Sequence, residues 1–300
     1  FPDVFHPNFE SAVATWAKQL HATAADPALI GYFLMNEPKW GFAHQTPAEG
    51  MLRNTEGCSC RDALTDWLRD KYGEGDALPK RWGRADATLS HVHRGRWDGD
   101  LNKNAIHDLA AFSAQMIRHY WTTLSAATKA ADPHHLNLGV RFASVPKPWA
   151  RPGLETMDVF SFNSYARTPP DAAGKLSEDL GLPAIIGEFH FGATDAGLPA
   201  GALATVATQA DRGKAYRRYV EAAAAEPWCV GAHWFTMYDQ SALGRFDGEP
   251  YNCGFVDVCG RIYAEMADAA TITHGRLLQL CRGEVEPFVG DINYERRHSV

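Results

Sequence analysis

No run of about eighteen apolar residues occurs in this chain, so nothing in it reads as a helix that spans a bilayer. Basic residues are not in excess either. The 29 Lys and Arg against 36 Asp and Glu leave a formal charge of −7. That argues against a nucleic acid or an anionic membrane as partner, because neither would meet an obvious basic surface. The six cysteines (58, 60, 229, 253, 259 and 281) form no regular framework, and Cys229 falls inside an apolar segment. They read as free or buried thiols and leave the redox compartment open. The opening FPDVFHPNFE has neither the basic region nor the apolar stretch of a signal peptide. Sequence repeats and low-complexity tracts are also missing. What is present is 45 % hydrophobic and 22 % charged, enough to bury a sizeable core and to exclude a disordered chain. The 300 residues suit an α/β barrel or two smaller domains. Nine Trp, ten Tyr and fifteen Phe fit stacking on sugar faces, although a large core uses the same residues.

Along the chain, amphipathic helices alternate with short apolar runs. Asn8 to Ala25 predicts a helix, with Asn8 as N-cap and Phe9, Val13, Trp16 and Leu20 at helical spacing. ALIGYFLMNEP then reads as a strand buried on both faces that ends abruptly in polar residues. A long helix is expected over 104–131, with Leu109, Phe112, Met116, Tyr120 and Leu124 on one face. Strands are expected near 30–36, 136–141, 157–163, 184–188 and 229–235, and further helices over 209–225 and 261–280. Such alternation implies parallel pairing with crossover helices. A closed barrel of this kind needs eight strands, and only five candidates are present. The stretch 38–103 is a long connection containing a helical piece over 60–73, in the position where barrel enzymes shape their substrate sites.

Two apolar runs close in a carboxylate: Glu37 after Ile30–Asn36, and Glu188 after Ala184–Gly187. Burying a charge is costly without a partner or a purpose. Two glutamates at strand C-termini form the pair that glycosidic hydrolysis requires, one to protonate the leaving oxygen and one to meet the oxocarbenium-like centre. The plainer alternative is that they form structural ion pairs, for instance with Arg141. Other polar residues gather at the same strand ends: Arg141, Asn163 and Tyr165, His190, and His233-Trp234.

GYFLMNEPKW (31–40) and IIGEFHFG (185–192) resemble clan A glycoside hydrolases. GEFHFGATDAG (187–197) and GAHWFTMYDQSALGRFDGEPYNCGFVDV (231–258) are similar to family-50 β-agarases. RDALTDWLRDKYGEGDALPKRWG (61–83) looks like the corresponding insertion in family-50 enzymes and in family-42 β-galactosidases. The likeness covers most of the chain and fades after about Cys281; Met35 departs from it, standing where many relatives have Asp. It implies a (β/α)8 barrel of which the chain holds strands four to eight. Residues 1–282 would be the C-terminal portion, interrupted by an insertion at 38–103, and 283–300 a tail. It implies Glu37 as acid/base and Glu188 as nucleophile of a retaining enzyme acting on β-linked galactose-containing polymers. Asn36 would bind the sugar 2-hydroxyl, Tyr165 position Glu188, and Trp234 floor the −1 subsite. His190, Asp239, Gln240, Arg245, Asp247 and Asn252 would be further sugar contacts, and Arg141 and Asn163 are candidates beside them from their place at the strand ends. No cofactor is implied. A secreted or periplasmic location is expected, with any signal upstream of the residues shown. A fragment of a barrel, with open sheet edges, is expected to be inactive alone or to aggregate.

Cys58-Ser59-Cys60 and His91-Val92-His93 bring four potential zinc ligands into one insertion, but their spacing is tighter than that of zinc sites, and no metal is expected. A β-galactosidase, another clan member, or a non-catalytic sugar-binding protein on a degenerate barrel remain alternatives; the presence of both glutamates speaks against the last.

Overall fold

The computed structural model describes residues 1–295, which divide into two compact units. One is Phe1–Gly139 with Pro146–Asp158, the other Val140–Val145 with the chain from Val159 onward. Of the tail expected over 283–300, residues 296–300 lie outside the described residues. No described helix is long and apolar enough to cross a membrane.

The first unit is built on one helix. Following α1 (Phe9–Ala17), β1 (Gly31–Tyr32), α2 (Pro47–Asn54), α3 (Ser59–Tyr72), α4 (Ala77–Trp82) and α5 (Leu89–Arg94), α6 runs from Lys103 to Ala131. The Asn102 side chain caps α6 by accepting from the amides of Asn104 and Ala105. Its buried stripe contains Leu109, Phe112, Met116, Tyr120 and Leu124, as the periodicity predicts. Asp108 interrupts that apolar stripe, and three donors offset the cost of burying its charge. Lys71 Nζ (2.7 Å), Tyr72 OH (2.8 Å) and Trp82 Nε1 (2.8 Å) all bond it, tying α3 and α4 to α6. Within the long connection, the fully buried Arg61 donates to the carbonyls of Thr55, His91, Val92 and Gly95.

Two expectations are corrected in this unit. The first helix stops at Ala17 and tightens to 3-10 geometry over Lys18–Ala22, and Asn8 makes no side-chain cap bond. The first strand is only Gly31–Tyr32 and is half-buried, with Ile30 72 % exposed, because β1 pairs on one side alone, with β2 (Leu136–Asn137). Three of the four potential zinc ligands have partners of their own: Cys60 lies against Asp3, His93 bonds Asp62, and His91 Nε2 faces the Arg96 carbonyl. No group of three metal-ligating side chains occurs among the described residues.

A charged cluster links the two ends of this unit. His135 Nδ1 lies 2.6 Å from Asp132 Oδ2, and Nε2 lies 3.0 Å from the Asp26 carbonyl. Each ring nitrogen faces an acceptor, so the imidazolium form satisfies both, and the bond to Asp132 raises the His135 pKa above its usual 6.5. A raised histidine contributes stability that is complete below the unfolded value and lost as pH climbs through the folded one. Urea midpoints should therefore decline as pH rises beyond 6.5, and His135→Gln should flatten that decline. A wild-type midpoint that stays level across this window would refute the latch.

The second unit is a parallel three-stranded sheet in the order β3 (Phe160–Asn163), β4 (Ala184–Phe189), β5 (Cys229–Trp234). Helix α7 (Asp171–Leu180) joins β3 to β4, and α8 (Gln209–Ala225) joins β4 to β5. Thr208 caps α8 through the Asp211 amide. Strands β3 and β4 are buried throughout, as expected of an apolar strand in a layered α/β unit. By contrast β5 pairs only with β4 and leaves Val230 59 % exposed. The last helix, expected to be continuous over 261–280, is split into α9 (Ala264–His274) and α10 (Leu277–Cys281), with the poor helix former Gly275 at the break. The five strands thus form sheets of two and three, and no closed barrel is present among the described residues.

Candidate active site

The faces of β3 and β4 decide where Glu188 points. Side chains alternate along a strand. Phe162 packs on Trp228, whose ring lies against Gly174 of α7, so Phe160 and Phe162 face the helices. Ser161 and Asn163 therefore face the other way. Ala184 and Ile186, paired with Phe160 and Phe162, share the helix-facing side. Strict alternation would carry Glu188 there too. Instead a bulge sets Gly187 and Glu188 together against Asn163. The extra residue re-aims Glu188 onto the face of Ser161 and Asn163. Phe189 then returns to the helix side and stacks on Tyr219, with centroids 4.4 Å apart.

On that face Glu188 is 7 % exposed and held at both oxygens. Arg141 Nη2 donates to Oε1 at 2.7 Å, and Tyr165 OH donates to Oε2 at 2.5 Å. Two donors, one cationic, stabilise the carboxylate form, the state a nucleophile needs. The ion pair named as the plainer alternative thus exists. Arg141 adopts a φ of 43°, with its amide donating to Ser161 Oγ at 2.8 Å. Its guanidinium also holds the Gly187 carbonyl at 2.8 Å. A Cβ on Gly187 would lie 2.8 Å from Asn163 Oδ1 and 2.9 Å from Arg141 Nε, so the close packing around the bulge requires glycine.

Several expected sugar contacts have partners within the protein's own framework. His190 is buried; Nδ1–H donates to the Phe235 carbonyl (2.8 Å), and Nε2 accepts from the Leu203 amide (3.1 Å). Burial pushes its pKa down to about 3, so the ring is neutral. Its ring packs 4.5 Å from that of Tyr165 and so buttresses the tyrosine that bonds Glu188. Trp234 pairs with Phe189 on the helix side, among Phe191, Tyr216 and Phe255, and its Nε1 donates to the Cys253 carbonyl. That is the face opposite Glu188, not the floor of a subsite beside it. Asp239 accepts from the Gly254 amide and Tyr263 OH. Asn252 is fully buried, and Gln209, Arg212, Ala196 and Tyr263 use both ends of its amide. Gln240 bonds Glu249 and the Tyr251 amide, and Arg245 pairs with Asp247 and Glu249. Together these residues shape the chain after β5.

Arg212 was not anticipated. It is fully buried, donates to Phe191, Gln209, Asn252 and Gly254, and lies over the rings of Trp234 and Tyr263. Its spacing of three and four from Gln209 and Tyr216 on the buried face of α8 was the available signal. Beside Glu188, Asn163 and Tyr165 line a cleft of about 930 Å³ together with Ser144, Thr194 and Tyr251.

Asn36 and Glu37 belong to the other unit. Asn36 is exposed and Glu37 half-buried, just beyond β1. Glu37 has a φ of 41°, and with Arg141 it completes the pair of non-glycine residues in the left-handed region among the described residues. Such strain costs on the order of 1–3 kcal/mol and is concentrated at functional sites.

No family model matches the chain. Over 89 % of its length it is 35 % identical to β-agarase B of Vibrio sp. (strain JT0107), and over 90 % it is 33 % identical to β-agarase A of the same organism. The chain spans 29 % of the length of each of these relatives. A solved exo-β-agarase superposes with a TM-score of 0.85 at 31 % identity, covering 95 % of this chain and 40 % of that one.

Proposed function

We propose that this relative of the β-agarases is the nucleophile-bearing portion of a retaining glycoside hydrolase acting on agarose-type galactans. The observation that carries the reading is Glu188, turned by a bulge onto the polar face of β4 and held as a carboxylate by Arg141 and Tyr165. A carboxylate so held attacks the anomeric carbon. A second carboxyl group, assigned to Glu37, protonates the departing oxygen and then activates the water that releases the product. The five parallel strands are read as strands four to eight of a (β/α)8 barrel, with both carboxylates at strand C-termini, the end at which barrel enzymes work. A polymeric substrate also favours an exported protein.

The test is stereochemical. With the full-length protein and agarose oligosaccharides, proton NMR should show the β-anomer of the new reducing end before mutarotation. An α-anomer appearing first would overturn retention, and no cleavage of any β-galactoside would overturn the hydrolase reading. A second expectation concerns the bulge. The methyl group of Gly187→Ala would displace Asn163 or Arg141, and a shift of about 1 Å in catalytic geometry costs on the order of a hundredfold in rate. The kcat of Gly187→Ala should fall by about that much, and circular dichroism should still show a folded protein. Wild-type kcat would mean that the bulge has no catalytic role.

A further inference from the structure

The bulge that re-aims Glu188 also determines which end-of-strand residue of β5 shares its face. Gly231 pairs with Ile185, and Ala232 with Ile186, so Ala232 faces the helices and His233 the opposite side. Trp234 then pairs with Phe189, back on the helix side, where its ring contacts confirm its direction. His233 therefore stands on the face of Gly187 and Glu188, across β4 from Arg141. Two further observations agree with this placement. His233 is exposed rather than packed into the aromatic layer. Its pKa is lowered by partial burial and by the positive charge of Arg141. The imidazole is thus kept neutral, with one donor and one acceptor nitrogen, the combination that suits a sugar hydroxyl.

We propose that His233, not Trp234, is the β5 residue that touches substrate, hydrogen-bonding a hydroxyl of the sugar unit that Glu188 attacks. This rests on the reading of Glu188 as nucleophile. Trp234 instead stabilises the aromatic layer beneath.

The experiment compares His233→Ala, His233→Gln and Trp234→Phe in the full-length protein, on whichever β-galactoside, agarose or aryl galactoside, the wild type turns over. His233→Ala should lose roughly tenfold or more in kcat/KM, the effect of removing a substrate hydrogen bond, without a change in melting temperature. His233→Gln, which keeps a donor and an acceptor, should recover part of that loss. Trp234→Phe should lower the melting temperature through the lost bond to Cys253. If His233→Ala keeps wild-type kcat/KM, or loses it only in step with its melting temperature, His233 is not a substrate contact. A wild type that cleaves no β-galactoside would instead remove the reading on which this proposal rests.

Discussion

A glycine at position 188 is expected to abolish turnover of natural substrate, and added azide should restore cleavage of a substrate with an activated leaving group. Removing a reacting group of this kind lowers kcat on the order of ten-thousand-fold or more. Glu188 is nearly buried, yet both oxygens are engaged by donors, so its negative charge is already compensated before substrate arrives. Truncation to glycine leaves Arg141 and Tyr165 lining an anion-sized gap on the same face. Azide entering that gap would attack the anomeric carbon from the side that Glu188 used and yield an α-glycosyl azide. Recovery of the α-product by NMR establishes the nucleophile. A β-azide, or a Glu188→Gly enzyme with wild-type kcat, would remove Glu188 from that role. Tyr165→Phe, with Arg141 intact, is a milder version of the same test.

The parts of this fold that could be read from sequence are those whose burial pattern is set locally. The stripe on α6, the extent of α8 and the apolar runs of β3 and β4 were all legible, because each packs on a continuous neighbour that enforces the period. Strand β1 was misjudged as buried on both faces, and nothing in the sequence showed that β5 would be partly exposed. An apolar run does not reveal whether it has partners on both sides, and each of these pairs on one side only. The more consequential gap lay in side-chain direction. Glu188 was named as a candidate, but its face depends on a one-residue bulge, and a slip of one residue moves every later side chain to the other face of a strand. The resemblance put Trp234 beside the site, and His233, although named with it at the strand end, was given no role. The polar residues from Asp239 to Asn252 were expected to meet sugar because the segment that carries them resembles the family-50 enzymes. A buried amide such as Asn252 needs as many partners as a ligand-binding one, and sequence does not say whether those partners come from protein or substrate.

Glu37 is expected to behave differently from Glu188 on the same assays. In a retaining mechanism the acid/base assists departure of a poor leaving group in the first step and activates water in the second. Glu37→Gly should therefore lose the natural substrate almost completely, by a factor on the order of ten-thousand as for other essential groups. It should still form the covalent intermediate from a dinitrophenyl β-galactoside, whose leaving group needs no proton. That intermediate should accumulate as an initial burst, because water is no longer activated. Azide, needing no general base, should accelerate its breakdown and give a β-glycosyl azide, the opposite anomer from that of Glu188→Gly. The strained backbone at Glu37, with φ at 41°, points to a side chain held in place for a purpose beyond packing. If Glu37→Gly slows activated and natural substrates equally, with no burst and no azide product, the acid/base lies elsewhere, and the left-handed turn after β1 serves the chain's path alone.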